Sequence, residues 1–277
     1  MRVEHLAIDG SVVSIEADAD LSTQHSTAGW AIVPSLMRAH PFAIYPAGHS
    51  DSVEEMVRSN FPAITIQSVE DYSLKKGRLR VAEVSLPTAT KSRRKLMVGA
   101  WEGKRGCLTT SLIGSHRHRL IEVFDTLQFR ERSKGLVIES PVTPRPREPE
   151  VIKEIPRLGI LEIKPAIPST LDRIPRASGF ATEAGELFRF RKTSNTLLFV
   201  GNSAVVRIDP LTNGAGQETG AQQRAAQEGA TREGETGEAG QIDPEQEDQT
   251  DVDQEEYDTQ EMLSIAQSLR VEWVPRG

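Results

Sequence analysis

The stretch 213–260 places the strongest limit on what this chain can fold into. It holds 14 acidic side chains and two basic ones, and its sizeable apolar side chains are only Ile242, Val252 and Tyr257. So few apolar groups cannot offset a backbone ordering cost of roughly 1–2 kcal/mol per residue. We therefore predict a disordered acidic insertion over residues 213–258, inside an otherwise folded, β-rich protein.

Removing that segment from the count changes the charge of the rest of the protein. The full chain has a formal net charge of −7 at pH 7, and the segment contributes −12, so the other 229 residues carry about +5. The sequence thus predicts a mildly basic folded body that carries an acidic insertion. Three roles are open for the insertion: a solubilising spacer, a binding site for a basic partner, or a cover over the body's own basic loops.

Composition also limits cellular location and cofactor chemistry. Residues 1–10 contain an early acid and no apolar core, which does not fit a signal peptide. No run approaches the 18 or more apolar residues of a membrane span. The single cysteine, Cys107, excludes an intrachain disulfide and a cysteine-rich zinc site. We expect a cytoplasmic protein with no membrane segment, no bound metal and no cofactor.

The first module is predicted over residues 1–132. An Asp-Gly pair at 9–10 marks a tight turn between two strands, and Asp51 with Glu54 forms a capping box at the start of a helix. Three later runs joined by short turns indicate an antiparallel meander. Within the first of these runs the apolar phase changes, which indicates either a bulge near Val81 or burial on both faces. The predicted strands are 3–8, 12–16, 29–33, 42–45, 63–70, 78–86, 95–101, 107–113 and 127–130, and the predicted helices are 51–59 and 115–125.

A second module follows a linker. Residues 133–150 hold four prolines among charged side chains, which predicts an extended linker that contributes no core element. Beyond it we predict a module made of residues 151–212 plus 259–277, with a meander before the acidic insertion and a helix and a strand after it. Its predicted strands are 158–164, 186–192, 196–200, 204–208 and 269–273, and its predicted helix is 259–267.

The two modules end alike. A shift of 142 residues superimposes the apolar positions of the first helix and closing strand on those of the second. The order of elements is also the same, because a helix and a closing strand follow a meander in both. The predicted fold class is α+β, with two such small modules and a long disordered acidic insertion, and one continuous sheet through both modules is the alternative. The matched positions are Leu120, Ile121, Val123, Phe124, Leu127 and Phe129, which fall on Met262, Leu263, Ile265, Ala266, Leu269 and Val271.

The first module resembles the PsbP-like group of small α/β/α sandwich domains. The resemblance covers residues 30–132 and is carried by the short strands around Trp30 and Phe42, the helix 51–59, and the stretch 101–129, in which a meander strand precedes a helix. Members of this group are mostly non-catalytic adaptors that bind other proteins, so the resemblance implies that role. Bacterial members are often exported, whereas this sequence shows no export signal.

Basic residues in the hairpin turns form the candidate binding site. Turns alternate between the two ends of a meander, so we expect the two basic clusters at opposite ends, with Lys75 and Lys76 beside the second. Such an end could hold phosphate groups or an acidic partner, or it could be an ordinary solvated hairpin tip. The candidate binding residues are Lys91, Arg93, Arg94 and Lys95 in the first cluster and Lys104 and Arg105 in the second.

The remaining reactive side chains favour structural roles. His116 and His118 lie at a predicted helix start among arginines that repel a metal cation, and Cys107 opens a strand as a small hydrophobe. Glycine-rich phosphate loops and hydrolase motifs are absent from the sequence, so we expect no catalytic residues and no enzyme. The leading hypothesis is a non-catalytic protein-binding adaptor or scaffold with an unidentified protein partner. The alternative is a nucleic-acid or polyanion binder whose basic hairpin loops are masked by the acidic insertion.

Overall fold

The structure, a computed structural model, describes residues 1–60, 64–87, 93–139, 147–174, 179–189, 196–210 and 260–276. Antiparallel sheet dominates this part of the chain, and its helices are few and short. At this coarse level the prediction of a mixed, β-rich protein is confirmed. The predicted disordered insertion at 213–258 lies outside the described residues.

Within the described residues the elements follow in a regular order. The strands are β1 (Arg2–Leu6), β2 (Val12–Glu16), β3 (His25–Val33), β4 (Arg38–Tyr45), β5 (Thr65–Leu74), β6 (Gly77–Pro87), β7 (Arg93–Glu102), β8 (Cys107–Ile113), β9 (Phe129–Arg132), β10 (Gly135–Ile138), β11 (Arg147–Ile155), β12 (Gly159–Pro165), β13 (Phe180–Ala181), β14 (Gly185–Arg189), β15 (Leu197–Gly201), β16 (Ala204–Asp209) and β17 (Arg270–Val274). The helices are α1 (Val53–Asn60), α2 (Arg117–Thr126), α3 (Pro168–Leu171) and α4 (260–268), and short 3-10 helices lie at Pro34–Leu36 and His49–Ser52.

Twelve strands form one antiparallel sheet. Its order is β13-β14-β15-β16-β12-β11-β3-β4-β8-β7-β6-β5. The pairing of β3 with β11, which places Thr27 opposite Val151, joins the strands of both predicted modules. In the described residues the sheet is therefore continuous, as the alternative prediction has it. Counted outward from the junction between β3 and β11, the strand order is the same in both halves. Each half begins with two strands in chain order, β3 and β4 or β11 and β12, and continues with a four-stranded meander in reverse chain order.

In each of two smaller sheets, the last strand of one half pairs with a strand that precedes the other half in the chain or leads back into it. β9 pairs with β10, the strand that leads into the second half of the large sheet. β17 pairs with β2, the strand that leads into the first half, so that Trp273 lies opposite Val13. Val13 and Ile15 are fully buried against second-half residues such as Phe199. The β1–β2 hairpin, which the sequence assigns to the first module, therefore packs on the second half.

The predicted linker contributes to the core, contrary to expectation. Leu136, Val137 and Ile138 in β10 are at most 2% exposed, and the Ile138 N–H donates to the Ile8 carbonyl oxygen at 2.8 Å. β11 then begins at Arg147, within the same predicted linker. The expectation was wrong for these residues because the proline count of 133–150 concealed a short apolar run between the prolines and the preceding strand.

Most other predicted elements are present with shifted ends. A 3-10 turn at His49–Ser52 precedes α1, and α2 begins and ends one or two residues later than predicted. The change of phase in β6 reflects burial on both faces, because Val81 and Ala82 are both buried and the register with β7 is unbroken there. The bulge lies in the neighbouring strand β5, between Ile66 and Ser68.

Each half of the large sheet buries a helix of the same pattern. Ten consecutive positions, 119–128 and 261–270, have the same sequence of buried, half-buried and exposed residues at the predicted shift of 142. α2 approaches the sheet closely at Gly99, where an added Cβ would lie 2.6 Å from Phe124. The buried side chains of α4 belong to the core of the second half. The buried positions are Leu120, Val123, Phe124 and Leu127 in the first half and Met262, Ile265, Ala266 and Leu269 in the second.

Candidate functional site: the outer face of the central strands

The predicted basic clusters lie at opposite ends of the meander, as expected. Arg94 lies opposite Leu86 near one end, whereas Lys104 lies in the turn after Glu102 at the other. The turn at Lys75 and Lys76 shares the second end, because Arg78 lies opposite Glu102. Of the first cluster, Lys91 lies outside the described residues, and Arg93 is described by its backbone alone.

Several of these cations bind groups of the protein itself. Lys95 forms an ion pair with Glu83, a side chain that is 14% exposed and that also lies 3.6 Å from Arg117 Nη2. The Arg105 backbone N–H donates to Glu131 Oε1 at 2.6 Å, and Arg105 Nη1 donates to the Ser133 carbonyl oxygen, between β9 and β10, at 3.3 Å. Lys75 Nζ donates to the Leu127 carbonyl oxygen at 2.5 Å, and burial lowers its pKa. Part of the predicted basic site therefore stabilises the fold through contacts within the protein.

The two faces of the large sheet are covered differently. The inner face carries α2, α4 and the two small sheets. The outer face carries α1 over the first half and the segment 166–174, which contains α3, over the second. Residues directly opposite one another in a ladder share a face, so the register follows the outer face from strand to strand. Between the two covers lies the centre of the sheet.

An apolar strip crosses the outer face between its two covers. Trp30 lies opposite Pro41, and Ile32 and Ile113 lie on the same face of β3 and β8. Trp30 is 37% exposed and Ile113 is 65% exposed. We call the set Trp30, Ile32, Pro41 and Ile113 the open strip.

Two exposed arginines border the open strip. Arg147 lies opposite Trp30 in the β3–β11 pair. Arg94 lies one step before Leu96 on the same face of β7, and Leu96 lies opposite Ile113. The edge of the strip is therefore positively charged. Among the predicted basic residues whose side chains the structure describes, Arg94 lies at this surface.

The prediction of a strand at 29–33 did not assign its side chains to faces of a sheet, so the open strip was missed. The run from Gly29 to Val33 is an unbroken apolar strand, and in the part of the chain that the structure describes it is the inner side of this strand that packs on core. The available signal was the unbroken apolar run itself, which has more apolar surface than a one-sided strand can bury.

A charged cluster lies beside the strip on the same face, across β11, β12 and β16. Lys164 Nζ lies 2.9 Å from Glu150 Oε2, and Arg207 Nη2 lies 2.9 Å from Asp209 Oδ1. Glu162 is only 6% exposed, and its burial, aided by the charge of Glu150, raises its pKa to about 7. This carboxyl group can therefore gain or lose a proton near neutral pH.

The cysteine and the paired histidines occupy the places that the sequence predicts. Cys107 is fully buried, and burial followed by the charge of Glu102 raises the pKa of its thiol, so the reactive thiolate is disfavoured. His116 and His118 are exposed at the start of α2, with ring centroids 5.7 Å apart. No three potential metal ligands cluster among the residues that the structure describes. The helices of this part of the chain include none that is long and apolar enough to cross a membrane.

Comparison with known proteins adds no relative. No family model matches the chain, and neither a curated protein nor a solved structure matches it. The resemblance to the PsbP-like group stays a prediction.

Proposed function

We propose that this chain is a non-catalytic adaptor or scaffold that binds a protein partner through the open strip. The observation that carries the proposal is that Trp30 and Ile113 are both exposed, among the described residues, on the outer face between α1 and the segment 166–174. Exposed apolar patches of this kind mark interaction sites, and aromatic residues with arginine are enriched in them. Arg94 and Arg147 fit the polar rim of such an interface. The proposal places the protein in the cytoplasm and requires no cofactor.

The finer architecture belongs to the same proposal. We infer that the two halves are related modules, supported by their identical strand order and by the matching burial of α2 and α4. The open strip then lies where the modules join, and a partner bound there would contact the first half beside the junction. The PsbP-like resemblance of the first module, with its implied adaptor role, agrees with this proposal.

Partner recovery by a variant of the strip tests the proposal. We expect the double variant Trp30→Ala, Ile113→Ser to lose at least tenfold in recovery of a specific protein partner by affinity purification, because it removes the apolar contacts. The matched control is Phe180→Ser, which removes a side chain 68% exposed at the far edge of the sheet and should leave recovery unchanged. Circular dichroism would confirm that all variants fold. Equal recovery with the strip variant and the wild type would contradict the proposal.

A nucleic-acid or polyanion binder remains the second candidate. Arg38, Arg94, His116 and His118 are exposed at one end of the first half, and the first turn of α2 contains no acidic residue. Masking by the acidic segment predicts that deleting 213–258 strengthens oligonucleotide binding at about 50 mM salt. Replacing both arginines with glutamate should abolish that binding, whereas the variant of the open strip should keep it. Absence of binding by both the full chain and the deletion variant would remove this candidate.

A further inference from the structure

The two arginines that border the open strip differ from a neighbouring cation on the same face. Lys164 Nζ lies 2.9 Å from Glu150 Oε2, so its charge is compensated within the protein. Arg94 and Arg147 are both exposed, and neither forms an ion pair within the part of the chain that the structure describes. The strip therefore offers two guanidinium groups that a partner can pair with.

A β-bulge in β11 determines which charge lies beside the tryptophan of the strip. Glu150 lies opposite Ala28 on β3, and regular pairing from there would bring Glu148 opposite Trp30. The register shifts between Arg147 and Glu150, so that Arg147 lies opposite Trp30. The bulge thus places a guanidinium group, in place of a carboxylate, at this end of the strip.

The same bulge holds its backbone in a strained and closely packed conformation. Glu148 has φ 49°, a value that is unfavourable for a residue with a Cβ. Gly29 lies across from the bulge, where an added Cβ would lie 3.3 Å from the Arg147 carbonyl oxygen and 2.8 Å from Ile8 Cγ2. Bulges and strained residues are concentrated at functional sites, which supports a role for the position of Arg147.

The distance between the two arginines limits the size of what can bind both. The strands β11, β3, β4, β8 and β7 are consecutive in the large sheet, so four strand spacings separate Arg147 from Arg94. At about 4.8 Å per spacing, the two residues are roughly 20 Å apart across the sheet. An extended peptide of about six residues or a helix of about 14 residues spans that distance.

We propose that the partner of the open strip binds through an acidic segment with apolar side chains at its centre and carboxylates at both ends. The apolar side chains would contact Trp30 and Ile113, and the carboxylates would pair with Arg147 and Arg94. This inference rests on the proposed function and adds the chemistry of the partner. A guanidinium group binds a carboxylate through two parallel hydrogen bonds, and charges at the rim of an interface speed association. A second copy of the chain would bring the same two cations to the interface, which disfavours pairing of one strip with another.

Selection of peptides on the full chain tests the proposal. The probe is a phage-displayed library of random peptides of about 16 residues, which is long enough in either conformation. Peptides that bind the wild type but not the double variant Trp30→Ala, Ile113→Ser are kept as binders of the strip. We expect these peptides to combine apolar residues with a net negative charge. Neutral or basic binders of the strip would overturn this inference and leave the proposed function intact, whereas enriched peptides that all bind the strip variant equally well would overturn both.

Charge variants assign the acidic preference to the two arginines. The double variant Arg94→Glu, Arg147→Glu should weaken binding of the selected peptide at least tenfold at low salt, chiefly through slower association, and should reduce the salt dependence of its Kd. The matched control Arg173→Glu, Arg189→Glu changes the net charge equally at exposed positions of the second half, and its Kd should stay within twofold of the wild type. If Arg147→Glu alters the bulge, the single variant Arg94→Glu decides. Equal weakening by both double variants would show a general charge effect and contradict the proposal.

Two other occupants of the strip give distinct results. A single-stranded oligothymidylate could pair with the arginines and stack on Trp30. If it displaces the selected peptide and binds more tightly than any acidic peptide, the partner is a nucleic acid and the proposal fails. Dimerisation that the double variant Trp30→Ala, Ile113→Ser abolishes, measured by sedimentation, would identify a second copy as the occupant and would equally overturn it.

Discussion

At the scale of single residues, two lysines hold the turn between β5 and β6 in a backbone conformation that suits glycine. Lys75 has φ 49° and Lys76 has φ 59°, and the turn of two residues closes between Leu74 and Gly77. Such turns favour Asn-Gly, since a Cβ is strained at positive φ. We expect Lys76→Gly to raise the free energy of unfolding by about 0.5–1 kcal/mol in urea titrations. Lys104→Gly removes the same charge from a turn position without positive φ, so it should not raise the free energy of unfolding. An equal rise for Lys104→Gly would contradict the explanation by backbone strain.

His40 makes stability depend on pH at the same scale. Burial lowers its pKa to about 4, and its ring nitrogen Nε2 lies 3.0 Å from the Ser111 carbonyl oxygen. The unfolded chain binds a proton on this histidine near pH 6.5, whereas the folded chain does not until about pH 4. Its contribution is therefore complete above pH 6.5 and is lost as the pH falls toward 4. Between pH 7.5 and pH 5 we expect His40→Gln to lose about 1–2 kcal/mol less unfolding free energy than the wild type, measured by urea titration. An identical loss in both proteins would rule out this role for His40.

At the scale of elements, the sequence predicted those helices and strands that depend on the local pattern of apolar and polar residues. The meander strands, α2 and α4 follow from alternation and helical spacing. The shift of 142 residues that matches apolar positions also matches the burial of 119–128 and 261–270, although Phe129 is half-buried and Val271 is buried. β10 was missed because its apolar run, Leu136 to Ile138, is only three residues long and lies inside a longer stretch that contains four prolines. The open strip was missed because the spacing of Trp30 and Ile113 depends on the pairing of β4 with β8, which joins strands far apart in sequence.

At the scale of the whole molecule, the exchange of end strands ties the two halves together. Asp18 and Ser268 are hydrogen-bonded across 250 positions, and β17 completes a sheet with the strands that open the chain. No local pattern encodes such a contact. The sequence therefore predicted most strands and helices of each half, but not the pairing of β17 with β2 at the other end of the chain. A fragment that ends at residue 132 would leave β9 without β10, and it would leave Val13 without the core of the second half.

The same exchange predicts different outcomes for two deletions. Excising residues 213–258 should leave Tm within about 2 °C of the full chain, because α4 and β17 are retained. A short connection fits this packing, because in the first half only three residues join the equivalent strand, β8, to the equivalent helix, α2. Ending the chain at Leu211 removes Met262, Ile265 and Trp273 from the core; at about 1.5–3 kcal/mol each, their loss approaches the total stability of a typical domain. Thermal melts followed by circular dichroism should show a lowered or absent transition for that truncation, and a peptide of residues 259–277 added in trans should partly restore it. A truncated chain that melts like the full one would show that β17 is dispensable, against the architecture described.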